Sequence, residues 1–147
     1  MTSLVTKVAG LVQQSINWLE QIKDAEQPFM LYLTTGLVYP AFRVQQKYLD
    51  MITESEIEIP PLHQEHHPAI DYINATKGAN FACPEGLIRQ IRQVYYAMIA
   101  TLDDMLGQLF DAVDRMGLKD STYIIFSSDH GEMAMEHGQV LKRSALY

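Results

Sequence analysis

The chain has 147 residues, 48% of them hydrophobic and 20% charged, which is the composition of a folded globular protein and excludes a disordered one. Its formal net charge of −7 argues against nucleic acid, which needs clustered Lys and Arg, and no run approaches the ~20 apolar residues of a membrane span. Cys83 is the single cysteine, which excludes an intrachain disulfide and a cysteine-based zinc cluster.

The length suits one domain over residues 1–147. Met1 to Val12 has neither a long apolar h-region nor a small-residue cleavage site, so no signal peptide is read there. Leu4, Val5, Val8, Leu11, Val12, Ile16, Leu19 and Ile22 recur at helical spacing and predict an amphipathic helix over 4–22. Polar residues 23–27 follow. Pro28 then opens the continuous apolar run Phe29-Met30-Leu31-Tyr32-Leu33, which reads as a buried strand. Residues 34–40 leave it as a loop, with Tyr39 near its end.

Residues 41–83 read as an irregular insertion on the substrate side, with prolines at 60, 61 and 68 and the cluster His63-Gln64-Glu65-His66-His67. Loops of that length inside a domain are usually functional. Asn74-Ala75-Thr76 matches the N-glycosylation triplet, which has meaning only in a secretory protein. After Pro84, the residues Ile88, Ile91, Tyr95, Met98, Leu102, Met105, Leu109, Val113 and Met116 step by three and four, which predicts a long helix that Gly117 ends. Thr122-Tyr123-Ile124-Ile125-Phe126 reads as a second buried strand. Strand, crossover helix and strand make a right-handed βαβ unit, so the expected class is α/β with parallel strands and a long crossover helix.

In such sheets ligands gather beyond the carboxyl ends of the strands. There the chain reads Ser127-Ser128-Asp129-His130-Gly131-Glu132. A carboxylate and an imidazole leaving a strand in a glycine-bearing turn are donors for one divalent cation. The competing reading makes Asp129 a helix cap and His130 a surface residue. Lys142 is placed to set an ammonium over an anion held at that metal, or to be a solvated surface lysine. Glu136-His137-Gly138 reads either as support for the site or as a turn. His63, His66 and His67 are zinc-ligand types, but the absence of partner cysteines and the irregular spacing argue against a zinc site there. Cys83, without a dedicated histidine base, reads as an inert thiol.

Tyr95-Tyr96-Ala97-Met98, then Leu102-Asp103-Asp104-Met105-Leu106-Gly107, then Ser127-Ser128-Asp129-His130-Gly131-Glu132 and Glu136-His137 together resemble the sulfatase family, of the alkaline-phosphatase-like superfamily. Trp18-Leu19 and the run 28–33 fit the same pattern. The likeness spans nearly the whole chain, weakly over 41–80 and strongly over 84–142. It implies an incomplete alkaline-phosphatase-like domain and a parent activity of sulfate ester hydrolysis of the arylsulfatase type. It also implies a calcium ion held in part by Asp129 and His130, with zinc the less fitting ion, and a sulfate contact from Lys142. Substrates would be sulfated small molecules or glycans, in a lysosomal or secreted setting.

The likeness is incomplete. The family's nucleophile is a formylglycine made from the cysteine of a Cys-x-Pro-x-Arg motif, which Cys83-Pro84-Glu85 does not match. The family's earlier Asp-Asp metal ligands have no counterpart, since Asp103-Asp104 falls mid-helix. Tyr39 stands where the family carries a sulfate-contacting histidine, and a phenol donates a hydrogen bond without carrying positive charge. The expectation is therefore an internal fragment, inactive alone. The alternatives are a non-catalytic degenerate relative that binds an anion, or a metal-dependent phosphodiesterase relative.

Overall fold

A computed structural model describes residues 4–61, 67–77, 83–136 and 139–142. Along them run α1 (Leu4–Ile22), α2 (Gln46–Leu49), a 3-10 turn (Glu54–Glu56), α3 (Pro68–Lys77), α4 (Glu85–Arg115) and a second 3-10 turn (Lys119–Ser121). The chain divides into two units, one made of Met1–Tyr39 with Met98–Phe126 and the other of Pro40–Ala97 with Ser127–Tyr147. No helix among the described residues is long and apolar enough to cross a membrane.

The first unit is built by apolar periodicity. On α1 the stripe predicted from spacing turns Val8, Val12 and Leu19 inward, while Leu4 and Leu11 stay exposed. The buried three join Leu37 and, from the second half of α4 and its exit, Met105, Leu109, Val113 and Leu118 in one cluster. Burying each such aliphatic side chain contributes about 1.5–3 kcal/mol. Trp18 meets Phe29 edge to face, ring centroids 5.8 Å apart at 81°, and anchors the start of the run after Pro28 to α1.

The end of α4 follows from Gly117. Its φ of 71° lies in the left-handed region, where a Cβ is penalised. With that turn, Gly117 N–H donates to Asp114 O (2.9 Å) and Leu118 N–H to Val113 O (3.1 Å), the paired bonds of a Schellman motif. Leu118 is delivered into the apolar cluster by the same turn.

The predicted strands are not seen: neither 29–33 nor 122–126 forms a strand among the described residues. Phe29, Leu31 and Leu33 pack on the cluster while Met30 and Tyr32 are 87% and 83% exposed, the alternation of an extended chain. Tyr123, Ile125 and Phe126 are exposed too. A strand exists only by its ladder, and no ladder partner lies beside either run among the described residues. Apolar β-prone composition sets the tendency without supplying the neighbour.

The second unit depends on polar side chains. The first half of α4 buries Ile88 and Ala97, and Tyr48, Ile57, Met133, Ala134 and Met135 are also buried. Arg89 donates through Nη1 to Ile57 O, Gln93 through Nε2 to Ile52 O (2.8 Å), and Arg92 through Nη1 to Ala134 O (2.8 Å). Three neighbouring helical residues thus satisfy carbonyls of segments that have no regular structure of their own. The region 41–83, expected to be irregular, also holds α3. Ala69 N–H donates to His67 Nδ1 (3.2 Å) at its start, and Pro68 stands where its missing N–H costs nothing. The low amphipathicity of residues 68–77 hides that helix from a periodicity reading.

Candidate metal turn

Residues 127–136 leave the exposed run through bends and turns. Ser128 Oγ donates to His130 O (2.6 Å), and His130 N–H donates to Asp129 Oδ1 (3.0 Å). The His130 ring lies with Nδ1 2.9 Å from Gly131 O. A neutral imidazole that donates from Nδ1 to this carbonyl has its lone pair on Nε2. That Nε2 lies 3.5 Å from Asp129 Oδ2. Two donors each about 2.1–2.5 Å from one ion and roughly at right angles sit about 3–3.5 Å apart. The spacing and the donor types therefore fit a shared cation. Asp129 is largely exposed and His130 mostly covered, so the pair is open on the carboxylate side. Among the described residues, no third His, Cys, Asp or Glu joins them.

The loop that follows is held by contacts that sequence reasoning missed. Glu132 Oε1 accepts from Ala134 N–H (3.3 Å) and from Leu141 N–H. Met135 N–H donates to Gln139 O (2.7 Å) and Glu136 N–H to Met133 O (2.7 Å). Ala134, Met135 and Leu141 have φ of 45°, 72° and 67°, left-handed values that cost about 1–2 kcal/mol each for a residue with a Cβ. Arg92 reaches this loop from α4 through Ala134 O, and its Nη2 donates to Tyr96 Oη (2.6 Å). A signal for Arg92 existed: it sits four residues from both Ile88 and Tyr96, on a helix face otherwise given to the interior. Glu132 closes the quoted motif, but nothing in spacing marks it as an acceptor for residue 141.

The other expected residues fall as follows. Lys142 directly follows the tethered Leu141 and is exposed. Tyr39 is half-exposed at the end of the first segment of its unit. Asn74 lies within α3, where Thr76 Oγ1 donates to Tyr72 O (2.7 Å). Asp103 and Asp104 are exposed in mid-helix, as expected. Cys83 is partly buried just before α4. His63, His66 and His137 lie outside the described residues.

Residues 7–146 match the family model described as Sulfatase. Arylsulfatase K of Bos taurus is 36% identical over 148 residues, covering 89% of this chain and 27% of that protein. The Xenopus laevis arylsulfatase K is 35% identical over 160 residues, covering 95% of this chain and 30% of its own length. The Homo sapiens protein of the same name is 34% identical, covering 89% and 27%. The chain thus spans between a quarter and a third of the length of these curated relatives.

Proposed function

This chain belongs to the sulfatase family, and we propose that it supplies the metal-binding and sulfate-contacting part of a sulfate ester hydrolase of the arylsulfatase type. The observation that carries the reading is the convergence of Asp129 Oδ2 and His130 Nε2 at 3.5 Å, immediately after a β-prone run. Asp129 and His130 would hold a divalent cation, calcium by the family likeness. Bound there, the ion would act as a Lewis acid toward the sulfate oxygens. His130 orients its ring through Gly131 O, and Asp129 keeps its second oxygen on its own turn through the His130 amide. Lys142 offers a compact positive charge to the sulfate. Runs 29–33 and 122–126 take strand form where further strands of a sheet lie beside them. The substrate class is a sulfated small molecule or glycan, in a lysosomal or secreted setting.

No Cys-x-Pro-x-Arg motif occurs in the 147 residues, so the family's nucleophile is not among them. Incubation of the purified chain with 4-nitrophenyl sulfate and Ca2+ should therefore release no nitrophenol above background. Turnover by the chain that Asp129→Ala abolishes would contradict this reading. The presence of Tyr39 in place of a histidine favours a second reading, a relative that binds sulfate without cleaving it. A phosphodiesterase relative would instead prefer Zn2+ to Ca2+ at the same turn, since zinc readily accepts imidazole and calcium prefers oxygen.

A further inference from the structure

We infer that Glu132 is a positioning residue: one carboxylate oxygen staples the turn carrying Asp129 and His130 to the backbone beside Lys142. The inference rests on the metal reading of that turn given above. Three observations lead to it. Glu132 is two residues beyond His130, so whatever fixes its side chain also fixes the exit of the metal turn. Its Oε1 accepts from Ala134 N–H at 3.3 Å and from Leu141 N–H, nine residues downstream, so a single oxygen closes the loop. Both donors belong to residues in the left-handed region, with φ of 45° at Ala134 and 67° at Leu141. Such backbone persists only where surrounding contacts over-determine it, and the carboxylate provides a charge-assisted acceptor for each amide.

The consequence for the site is geometric. The Cα of Lys142 is one peptide, about 3.8 Å, from that of Leu141. Fixing the Leu141 amide therefore fixes the base of the lysine side chain relative to Asp129 and His130. Arg92 steadies the same loop from the helix through Ala134 O, so residue 134 is held at its amide by Glu132 and at its carbonyl by Arg92. Among the described residues Glu132 does not group with Asp129 and His130 as a third donor. Its Oε1 is committed to two backbone amides.

Two measurements on the full 147-residue chain test this, with Glu132→Ala, Glu132→Asp and Glu132→Gln beside wild type and Asp129→Ala. The first is amide hydrogen exchange of Leu141 and Ala134 without added metal. The second is calorimetric titration with Ca2+. Glu132→Ala should speed exchange at Leu141 by about tenfold or more, the worth of a charge-assisted hydrogen bond. It should also weaken Ca2+ binding by about 10- to 100-fold, as loss of an outer-shell partner does. Glu132→Asp, shorter by one methylene, should behave like Ala. Glu132→Gln retains an oxygen that accepts both bonds, so it should restore protection and hold Ca2+ affinity within about fivefold, the worth of a partly exposed charge.

Equal Leu141 exchange in wild type and Glu132→Ala would overturn the staple. Loss of Ca2+ by Glu132→Gln as complete as by Asp129→Ala would overturn the positioning role, because Glu132 would then be a ligand. A wild-type chain that binds no Ca2+, yet protects Leu141 only with Glu or Gln at 132, would support the staple and remove the metal reading instead.

Discussion

The 31 residues of α4 serve two regions that are held together by different physics. In its second half, Met105, Leu109 and Val113 meet Val8, Val12 and Leu19 in a cluster where burial of apolar surface is the driving term. In its first half, Arg89, Arg92 and Gln93 extend polar side chains to carbonyls of Ile57, Ala134 and Ile52. The first arrangement is non-directional and tolerant of detail. The second is directional, and each bond depends on one side chain reaching one atom. The turn carrying Asp129 and His130 belongs to the second region, where segments without regular structure must be held in place by specific acceptors and donors.

Substitutions sort by which kind of adhesion they remove. Leu109→Ala takes a buried side chain from the apolar cluster and should destabilise the chain by about 2–5 kcal/mol in urea unfolding. A loss under about 1 kcal/mol would mean that the cluster does not carry this region. Arg92→Met keeps the aliphatic stem and deletes the bonds to Ala134 O and Tyr96 Oη. The expected loss is about 1.5–3 kcal/mol, felt first as faster amide exchange over 133–136 and 139–141 and not across α1. Exchange rising equally in both regions would erase the distinction. Ile125→Lys alters a residue that is 89% exposed and should change stability by less than about 0.5 kcal/mol, while lowering self-association measured by light scattering. A large stability loss there would show the run to be packed.

What was legible from sequence follows the same division. The bounds of α1, the stripe on α4 and its glycine stop were all readable, because hydrophobic spacing and a left-handed C-terminal residue act locally. Residues 29–33 and 122–126 were readable only as tendencies. Phe29, Leu31 and Leu33 do find an apolar surface, but a strand needs a second backbone that composition does not name. α3 escaped because residues 68–77 lack a clear apolar stripe, and its start is set by His67 and Pro68. At the site, Asp129 and His130 stood out as adjacent donors at the end of an apolar run, and their side chains approach to 3.5 Å. Glu132 and Arg92 did not stand out. Their partners are backbone atoms of Leu141 and Ala134, and backbone atoms leave no mark in a sequence.

The most direct test of the metal turn is calorimetric titration of the chain with Ca2+, comparing wild type with Asp129→Ala and His130→Ala. We expect saturable binding of one ion to wild type, abolished by Asp129→Ala and weakened by His130→Ala, with folding unchanged by circular dichroism. Ca2+ binding of equal affinity in all three proteins, or none in wild type, would contradict the assignment of Asp129 and His130 as donors to one ion.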